Sequence, residues 1–319
     1  MLFTGSQTSN LQTGIDIKTA LDLSGKSGSE IHILFDNANK LRQKFHGNTI
    51  DLCSIVNAKS GACPEDCAFC AQSAQSDTHA KVYPLVDKAE IKRVAESAKE
   101  KGVKRFCVVT SGKRPSGDEL NQICGFISVI RDTGLLPCAT LGFLDIEQLK
   151  KLKDSGLHRY HHNLETSEFF FSEICSTHTY RDKIRTLESA KSLGFSVCSG
   201  GIFGLGESWE DRIDMAFALK DIGVDSVPIN LFTPITGTPL SDRGLLSPME
   251  ALKIIAIYRL VLPGCQIRVC GGRPATLKEK VSQIFFAGAD SMLLGNYLTT
   301  SGRDPDDDLR MIKEMGLEI

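Results

Sequence analysis

The sequence predicts an α/β fold built on a parallel sheet, and two observations predict it. Short apolar runs alternate eight times with amphipathic stretches of helical length. Gly102, Gly134, Gly156, Gly194, Gly223 and Gly288 each follow one of those stretches, where a left-handed C-cap belongs. Strand and helix in strict alternation imply right-handed crossovers between parallel strands. Eight such units either close into a (β/α)8 barrel or stay open as a doubly wound sheet, and periodicity does not separate the two. In both cases ligands belong at the carboxyl ends of the strands.

The elements follow in order. Residues 29–45 read as an amphipathic helix that caps the sheet before its first strand, 52–58. Helix 88–101 leads to strand 105–111, helix 117–133 to strand 137–141, and helix 145–155 to strand 158–164. Helix 181–193 leads to a fifth strand, 195–202, and helix 209–222 to strand 226–231. Ser247-Pro248 places a cap and a first-turn proline ahead of helix 247–261 and strand 266–271. Helix 275–287 and strand 290–294 complete the set. Asp304 to Asp308 then form the acidic first turn of a last helix, ended by Gly316. The whole chain reads as one domain: an extension over 1–48, the sheet and its helices over 49–302, and a terminal helix over 303–319.

Composition narrows the function. With 319 residues, 41% of them hydrophobic, the chain can bury a large core. A formal charge of −2 argues against a nucleic-acid or membrane-surface binder, both of which need a positive field. No run reaches the length of a membrane span. The first 28 residues have no basic-then-apolar leader pattern, so the expectation is a cytoplasmic protein. Eleven cysteines, an odd number, read in a reducing compartment as metal ligands or buried thiols.

Three of them carry the strongest signal. Cys63, Cys67 and Cys70 form C-x3-C-x2-C on one loop after the first strand. Structural zinc closes with four ligands, and an iron–sulfur cube also has four irons to ligate. Three thiolates leave one iron open to something other than protein. With Phe69 just before the last cysteine, the loop resembles that of the radical S-adenosylmethionine enzymes. In that superfamily the triplet holds a [4Fe–4S] cluster whose open iron binds S-adenosylmethionine, and the resemblance favours a closed, TIM-type barrel with an N-terminal helical extension.

Four further cysteines fall in strands: Cys107 in the second, Cys138 in the third, Cys198 in the fifth and Cys270 at the end of the seventh. Strand residues alternate between faces, so each can point inward. One buried cysteine alone is an ordinary small hydrophobe. Four at strand positions point to a second, closed iron–sulfur site. Cys53, Cys124, Cys175 and Cys265 have no such placement and read as ordinary thiols.

Longer strings narrow the resemblance. Asn57 to Cys67, Cys198-Ser199-Gly200-Gly201-Ile202-Phe203-Gly204-Leu205-Gly206-Glu207, Ser226-Val227-Pro228-Ile229-Asn230 and Gly237-Thr238-Pro239-Leu240 resemble the biotin synthases, and the likeness runs from about residue 33 to the end. That resemblance implies sulfur insertion into dethiobiotin. A 5′-deoxyadenosyl radical would abstract the hydrogens, and an auxiliary cluster would donate the sulfur. It implies S-adenosylmethionine as cofactor, a reduced flavodoxin- or ferredoxin-type electron donor, and a homodimer. In the family the auxiliary cluster is [2Fe–2S], held by cysteines matching Cys107, Cys138 and Cys198 and an arginine matching Arg268. Ile202 and Gly204 lie in the segment that packs on the adenosyl group. Asn163 and Asn230 match asparagines that bind the dethiobiotin ring, since an amide both donates and accepts. Thr299 and Thr300 match hydroxyls at the substrate carboxylate.

The chain departs from the family at four places. Glu165 stands where an aspartate usually meets the S-adenosylmethionine ribose, and Lys183 where an arginine meets its methionine carboxylate. Lysine offers a point charge instead of a fork. His161 replaces an asparagine near the substrate; of His161 and His162, one faces inward and the other packs. Cys270 stands two residues after Arg268, on the same strand face. Thiolate is a far better iron ligand than guanidinium, so the expectation is a four-iron auxiliary cluster on Cys107, Cys138, Cys198 and Cys270, with [2Fe–2S] as the alternative. Trp209 reads as helix packing, and Lys113 and Arg114 as solvated loop residues, with a role at the substrate carboxylate as the weaker alternative. Two other readings remain: a hydrogenase-maturation or methylornithine-type enzyme on the same barrel, and an iron–sulfur electron carrier.

Overall fold

The computed structural model describes residues 13–319; the part of the predicted extension over 1–12 lies outside the described residues. Nine strands form one parallel sheet: β1 (Asp51–Lys59), β2 (Arg105–Thr110), β3 (Leu136–Thr140), β4 (Arg159–His161), β5 (Ser196–Cys198), β6 (Gly201–Phe203), β7 (Ser226–Leu231), β8 (Gln266–Val269) and β9 (Ser291–Leu293). β1 pairs with β2 on one side and β9 on the other. A β5–β7 pairing, Cys198 with Ser226, closes the ring. β5 and β6 are two halves of one stave, so the sheet is a closed barrel of eight staves.

The predicted fifth strand is therefore interrupted, and the reason is steric. A Cβ on Gly200 would lie 2.1 Å from the Pro228 carbonyl oxygen, and one on Gly201 would lie 2.4 Å from that of Glu165. Backbone passes its neighbours here more closely than any side chain permits.

The outer layer is α3 (Lys88–Glu100), α4 (Gly117–Asp132), α5 (Ile146–Asp154), α6 (Tyr180–Ser192), α7 (Trp209–Ile222) and α8 (Pro248–Val261), followed by the short α9 (Arg273–Leu277) and α10 (Gln283–Phe286), and α11 (Pro305–Glu314). Ser116, Asp145, Thr179 and Ser208 each start a helix with a reciprocal capping box. The six predicted capping glycines all have positive φ. The expected single helix over 275–287 is instead α9, a 3-10 turn at Lys278–Lys280, and α10. Lys278 stands at φ 49°, where a right-handed helix cannot continue. The amino-terminal helices α1 (Ile17–Ser24) and α2 (Ser29–His46) pack on α7, α8 and α10, an added helical layer where an end cap was predicted.

Strand alternation sorts the core into two. On β2, Phe106 and Val108 join the large core between barrel and helices, while Cys107 and Val109 join Cys138 in a small inner cluster. On β1, Leu52, Val56 and Ala58 face out, whereas Cys53 faces Cys270 and Leu293. The amino-terminal end of the barrel carries charges. Arg159 donates to Ser196 Oγ and Gln266 Oε1, both at 2.8 Å, and Asp51 pairs with Arg105 at 3.6 Å and Arg268 at 3.1 Å. Sulfur lies directly above this polar floor. No helix among the described residues is long and apolar enough to cross a membrane.

Candidate active site

A cavity of about 430 Å³ opens at the carboxyl ends of the strands. At its mouth lies the cysteine loop after β1. Backbone bonds fold that loop tightly: Cys63 N donates to Gln72 O at 3.0 Å, Ala74 N to Cys63 O at 2.8 Å, and Cys70 N to Cys67 O at 2.9 Å. Gln72 Oε1 accepts from Ser60 Oγ and Gly61 N, which ties the loop back to the end of β1. Gly237 clasps the far side. Its carbonyl accepts from Asp77 N at 3.0 Å, and a Cβ there would sit 1.8 Å from Asp77 O. The 237–240 string thus serves the loop. Cys63, Cys67 and Cys70 all border the cavity and are half-buried, with Phe69 between them.

At the floor, Cys107 and Cys138 are register partners on β2 and β3, and Cys198 is the partner of His161 on β4. All three are buried and line the cavity, as do Cys270 and Cys53. Burial pushes the Cys138 thiol up to about 12, and burial beside Cys138 pushes Cys107 well above its usual value. Thiols so placed ionise together only when metal replaces their protons. Cys198 differs. Burial raises it, but His161 Nδ1, 3.4 Å from its sulfur, and the Arg268 charge outweigh that and hold it at about 6. Arg268 reaches the same floor with Nε on Ser291 Oγ at 2.8 Å and a terminal nitrogen on Asp51 at 3.1 Å. Burial opposes its charge, yet the surrounding thiols and Asp51 raise its pKa, so the guanidinium stays protonated.

Between mouth and floor stand the polar side chains. Asn163 Oδ1 accepts from Gly200 N at 3.2 Å, and Asn230 Oδ1 accepts from Gly271 N at 3.1 Å. Each amide nitrogen makes one further bond, to Glu165 Oε2 and Gly201 O. Each therefore keeps a second N–H free. Glu165 holds φ 74°, a costly angle for a residue with a Cβ. Its carboxyl, drawn up by burial and partly opposed by Lys183, borders the cavity. Lys183 is buried with its ammonium 5.7 Å from the Phe143 ring centre and 5.8 Å from that of Phe171. Ile202, Thr299 and Thr300 also line the wall. Gly204 does not: its N–H donates to Glu207 Oε1 at 2.9 Å behind the wall, where Glu207 pairs with Arg212 at 2.7 Å. His162 packs its ring edge against Phe143, and burial drives its pKa well down.

Two cysteines read as ordinary thiols belong to the site. Cys53 sits on β1 facing Cys270; the alternation that placed the other strand cysteines applies to it as well. Cys175, on the loop between β4 and α6, lies 3.9 Å from Cys67 and carries no periodic signal. Cys124 and Cys265 bond instead to the carbonyls of Lys151 and Val224, away from the cavity. Lys113 is not simply solvated; it borders the cavity and pairs with Glu65 at 3.6 Å. Arg114 is exposed, and Trp209 packs against Arg212 and Lys253.

The donor chemistry fits two iron–sulfur groups. Neither the loop triplet nor the floor thiols bring three sulfurs within 4.8 Å of one another, so each set is spread too widely to share a single ion.

Residues 58–219 match the radical SAM superfamily, and 228–318 match the biotin and thiamin synthesis associated domain. The biotin synthase of Thermodesulfovibrio yellowstonii is 54% identical over 291 residues, covering 91% of this chain and 92% of that one. Those of Pelobacter propionicus, at 50% (94% and 92% covered), and Pelotomaculum thermopropionicum, at 46% (97% and 97%), are similar along the same length. Among solved structures, methylornithine synthase superposes with a TM-score of 0.86 at 20% identity, covering 98% of this chain and 96% of that one. A maturase of the [FeFe]-hydrogenase gives 0.84 at 19%, covering 98% and 73%. At such identities these two likenesses speak for the barrel alone. The long relatives speak for more, and on their identity and coverage the chain belongs to the biotin synthase family of radical S-adenosylmethionine enzymes.

Proposed function

We propose that this chain converts dethiobiotin to biotin by radical sulfur insertion. The observation that carries the reading is the stacking of two thiol sets, mouth and floor, on one cavity with two oriented asparagines between them. Bound to the chain, the [4Fe–4S] cluster and S-adenosylmethionine supply an alkyl radical able to take hydrogen from an unactivated carbon, and the auxiliary cluster supplies sulfur. Cys63, Cys67 and Cys70 hold the first cluster. Glu165, Lys183 and Ile202 meet S-adenosylmethionine, with Lys183 offering the buried cation. Asn163 and Asn230 direct their free N–H groups at the ureido oxygen of dethiobiotin, which fixes its distance from both thiol sets. Thr299 and Thr300 take the carboxylate end, and His161 adjoins the substrate from the floor side. A closed barrel keeps water and other hydrogen donors from the radical.

At the floor, Cys107, Cys138, Cys198 and Cys270 ligate a four-iron auxiliary cluster. Arg268 donates to its sulfurs from a position set by Asp51 and Ser291. The position of Cys270, buried and lining the cavity two residues after Arg268, supports this over the [2Fe–2S] alternative, because a thiolate is a far better iron ligand than a guanidinium. A reduced flavodoxin- or ferredoxin-type protein delivers electrons, and the working form is a homodimer. Anaerobic turnover with dethiobiotin, S-adenosylmethionine and reductant tests the function. Biotin and 5′-deoxyadenosine are expected. 5′-Deoxyadenosine without consumption of dethiobiotin would mean another substrate on the same barrel, and neither product would mean an electron carrier.

A further inference from the structure

The cysteine loop meets the loop between β4 and α6 in a second constellation. Cys175 Sγ lies 3.9 Å from Cys67 Sγ and 3.7 Å from His178 Nε2. Among the described residues, these three are the one set whose metal-binding atoms all fall within 4.8 Å of one another. That spacing belongs to a single ion. With metal–sulfur bonds of about 2.3 Å and metal–nitrogen bonds of about 2.0–2.1 Å, a tetrahedron has S···S edges of about 3.8 Å and S···N edges of about 3.6 Å. The two edges from the Cys175 sulfur match, and the third, between Cys67 and His178, falls within 4.8 Å.

The surroundings complete the arrangement. Glu65 Oε2 accepts from His178 Nδ1, which leaves Nε2 as the unprotonated ring nitrogen; the Cys175 sulfur lies 3.7 Å from Nε2 and 3.3 Å from Nδ1. A carboxylate behind a histidine orients imidazole for metal in this way. Thr177 Oγ1 fixes Glu65 at 2.8 Å. Asp66 accepts from Ser176 N at 3.0 Å and Thr177 N at 3.2 Å, which locks the two loops together. Cys175 and His178 are buried, while Cys67 and His178 border the cavity, so a fourth position faces its solvent.

We propose that, in the cluster-free chain, Cys67, Cys175 and His178 bind one thiophilic divalent ion, ferrous iron or zinc, through two sulfurs and one nitrogen in a tetrahedral site with an open fourth position. Cys67 is shared with the four-iron cluster, so the two metal states exclude each other; that exclusion rests on the cluster assignment above, whereas binding of the ion does not. Ferrous iron held here is delivered beside the loop that must be loaded. Zinc held here withholds Cys67 from it.

The test is a Co2+ titration of the full-length chain stripped of iron under anaerobic conditions. Tetrahedral ligand-field bands and thiolate charge-transfer bands count the sites. Cys175→Ser and His178→Gln are expected each to remove one equivalent, and Glu65→Gln to weaken it about 10–100-fold. Cys63→Ser and Cys70→Ser keep that equivalent, although both lose the [4Fe–4S] cluster on reconstitution. Far-UV circular dichroism checks that each variant is folded, and either Cys175→Ser or His178→Gln suffices. Displacement of this Co2+ by Fe2+ or by Zn2+ identifies the ion. The proposal is overturned if folded Cys175→Ser or His178→Gln binds as much Co2+ as wild type. It is equally overturned if Cys63→Ser loses the same equivalent, or if neither ion displaces it. Retention of the cluster by Cys63→Ser would overturn the cluster assignment alone.

Discussion

Cys198 and His161 face each other across β4 and β5, with the imidazole Nδ1 3.4 Å from the sulfur. Burial alone would raise this thiol, and the histidine and Arg268 reverse the sign, to about 6 from an ordinary 9.0. A value depressed by folding favours the thiolate throughout the interval between the two. Its contribution is full above about 9 and is lost as pH falls through about 6. Loading of iron at the floor should therefore persist to mildly acidic pH. His161→Asn should move the acid limb of auxiliary-cluster reconstitution to higher pH, read as iron and sulfide bound per chain across a pH series from mildly acidic to mildly basic.

Glu165 combines a left-handed backbone with a cavity-facing carboxyl. Its strain is of the order of 1–3 kcal/mol, and glycine at the same φ removes it at a smaller entropic cost. Glu165→Gly should unfold at the same or slightly higher denaturant concentration, by up to about 1 kcal/mol, while binding S-adenosylmethionine at least several-fold more weakly. A loss of stability with unchanged binding would place the residue in the framework instead.

Much of this was legible because the barrel repeats one simple unit. Apolar runs and capping glycines marked out all eight staves, since burial and positive φ leave traces on residue type. The break in the fifth stave and the split of 275–287 were not legible. Gly200 is dictated by a carbonyl from β7, and Lys278 takes an angle its type does not announce. Cys53 was within reach, as it lies on β1 with the inward parity of Ile55. Cys175 was not, because its partner Cys67 is 108 positions away and the loop between β4 and α6 has no period.

Arg273 and Asp308 are both fully buried and joined by two bonds, at 2.9 and 2.7 Å. They fasten α11 to the short helix after β8. Removing one partner leaves an uncompensated buried charge, which costs about 3–5 kcal/mol. Asp308→Ala should lower stability by that order in urea titration. The double change Arg273→Met with Asp308→Leu should recover much of it, because the one charge then left without its partner, on Arg303 at 3.3 Å from Asp308, is part exposed to solvent. Equal losses in both variants would show that packing, not charge, dominates.

Arg268 and Cys270 project from one strand toward the same sulfur floor, and they make opposite demands on it. Arg268 is fixed by Ser291 and Asp51 and stays charged. Cys270 has no comparable polar anchor; its sulfur contacts the Arg268 carbonyl at 3.8 Å and packs with Cys53 and Leu293. Those bonds use Nε and one terminal nitrogen of Arg268, and its other terminal nitrogen lies 4.0 Å from the Cys198 sulfur, where it can donate to sulfur, whereas Cys270 offers a thiol packed against apolar neighbours and a second thiol. Reconstituted protein should therefore carry about eight irons per chain, against about six for a [4Fe–4S] and [2Fe–2S] pair. Arg268→Met should keep the iron count and change the auxiliary-cluster spectrum, since only sulfur hydrogen bonds are removed. Cys270→Ser should lower the count or convert the cluster, with Cys53 the nearest thiol to compensate, so the Cys53→Ser, Cys270→Ser double variant should fall further. Mössbauer spectra of the iron-57-loaded proteins separate these cases. About six irons in the wild type, with Arg268→Met the variant that loses iron, would return the ligand role to the arginine.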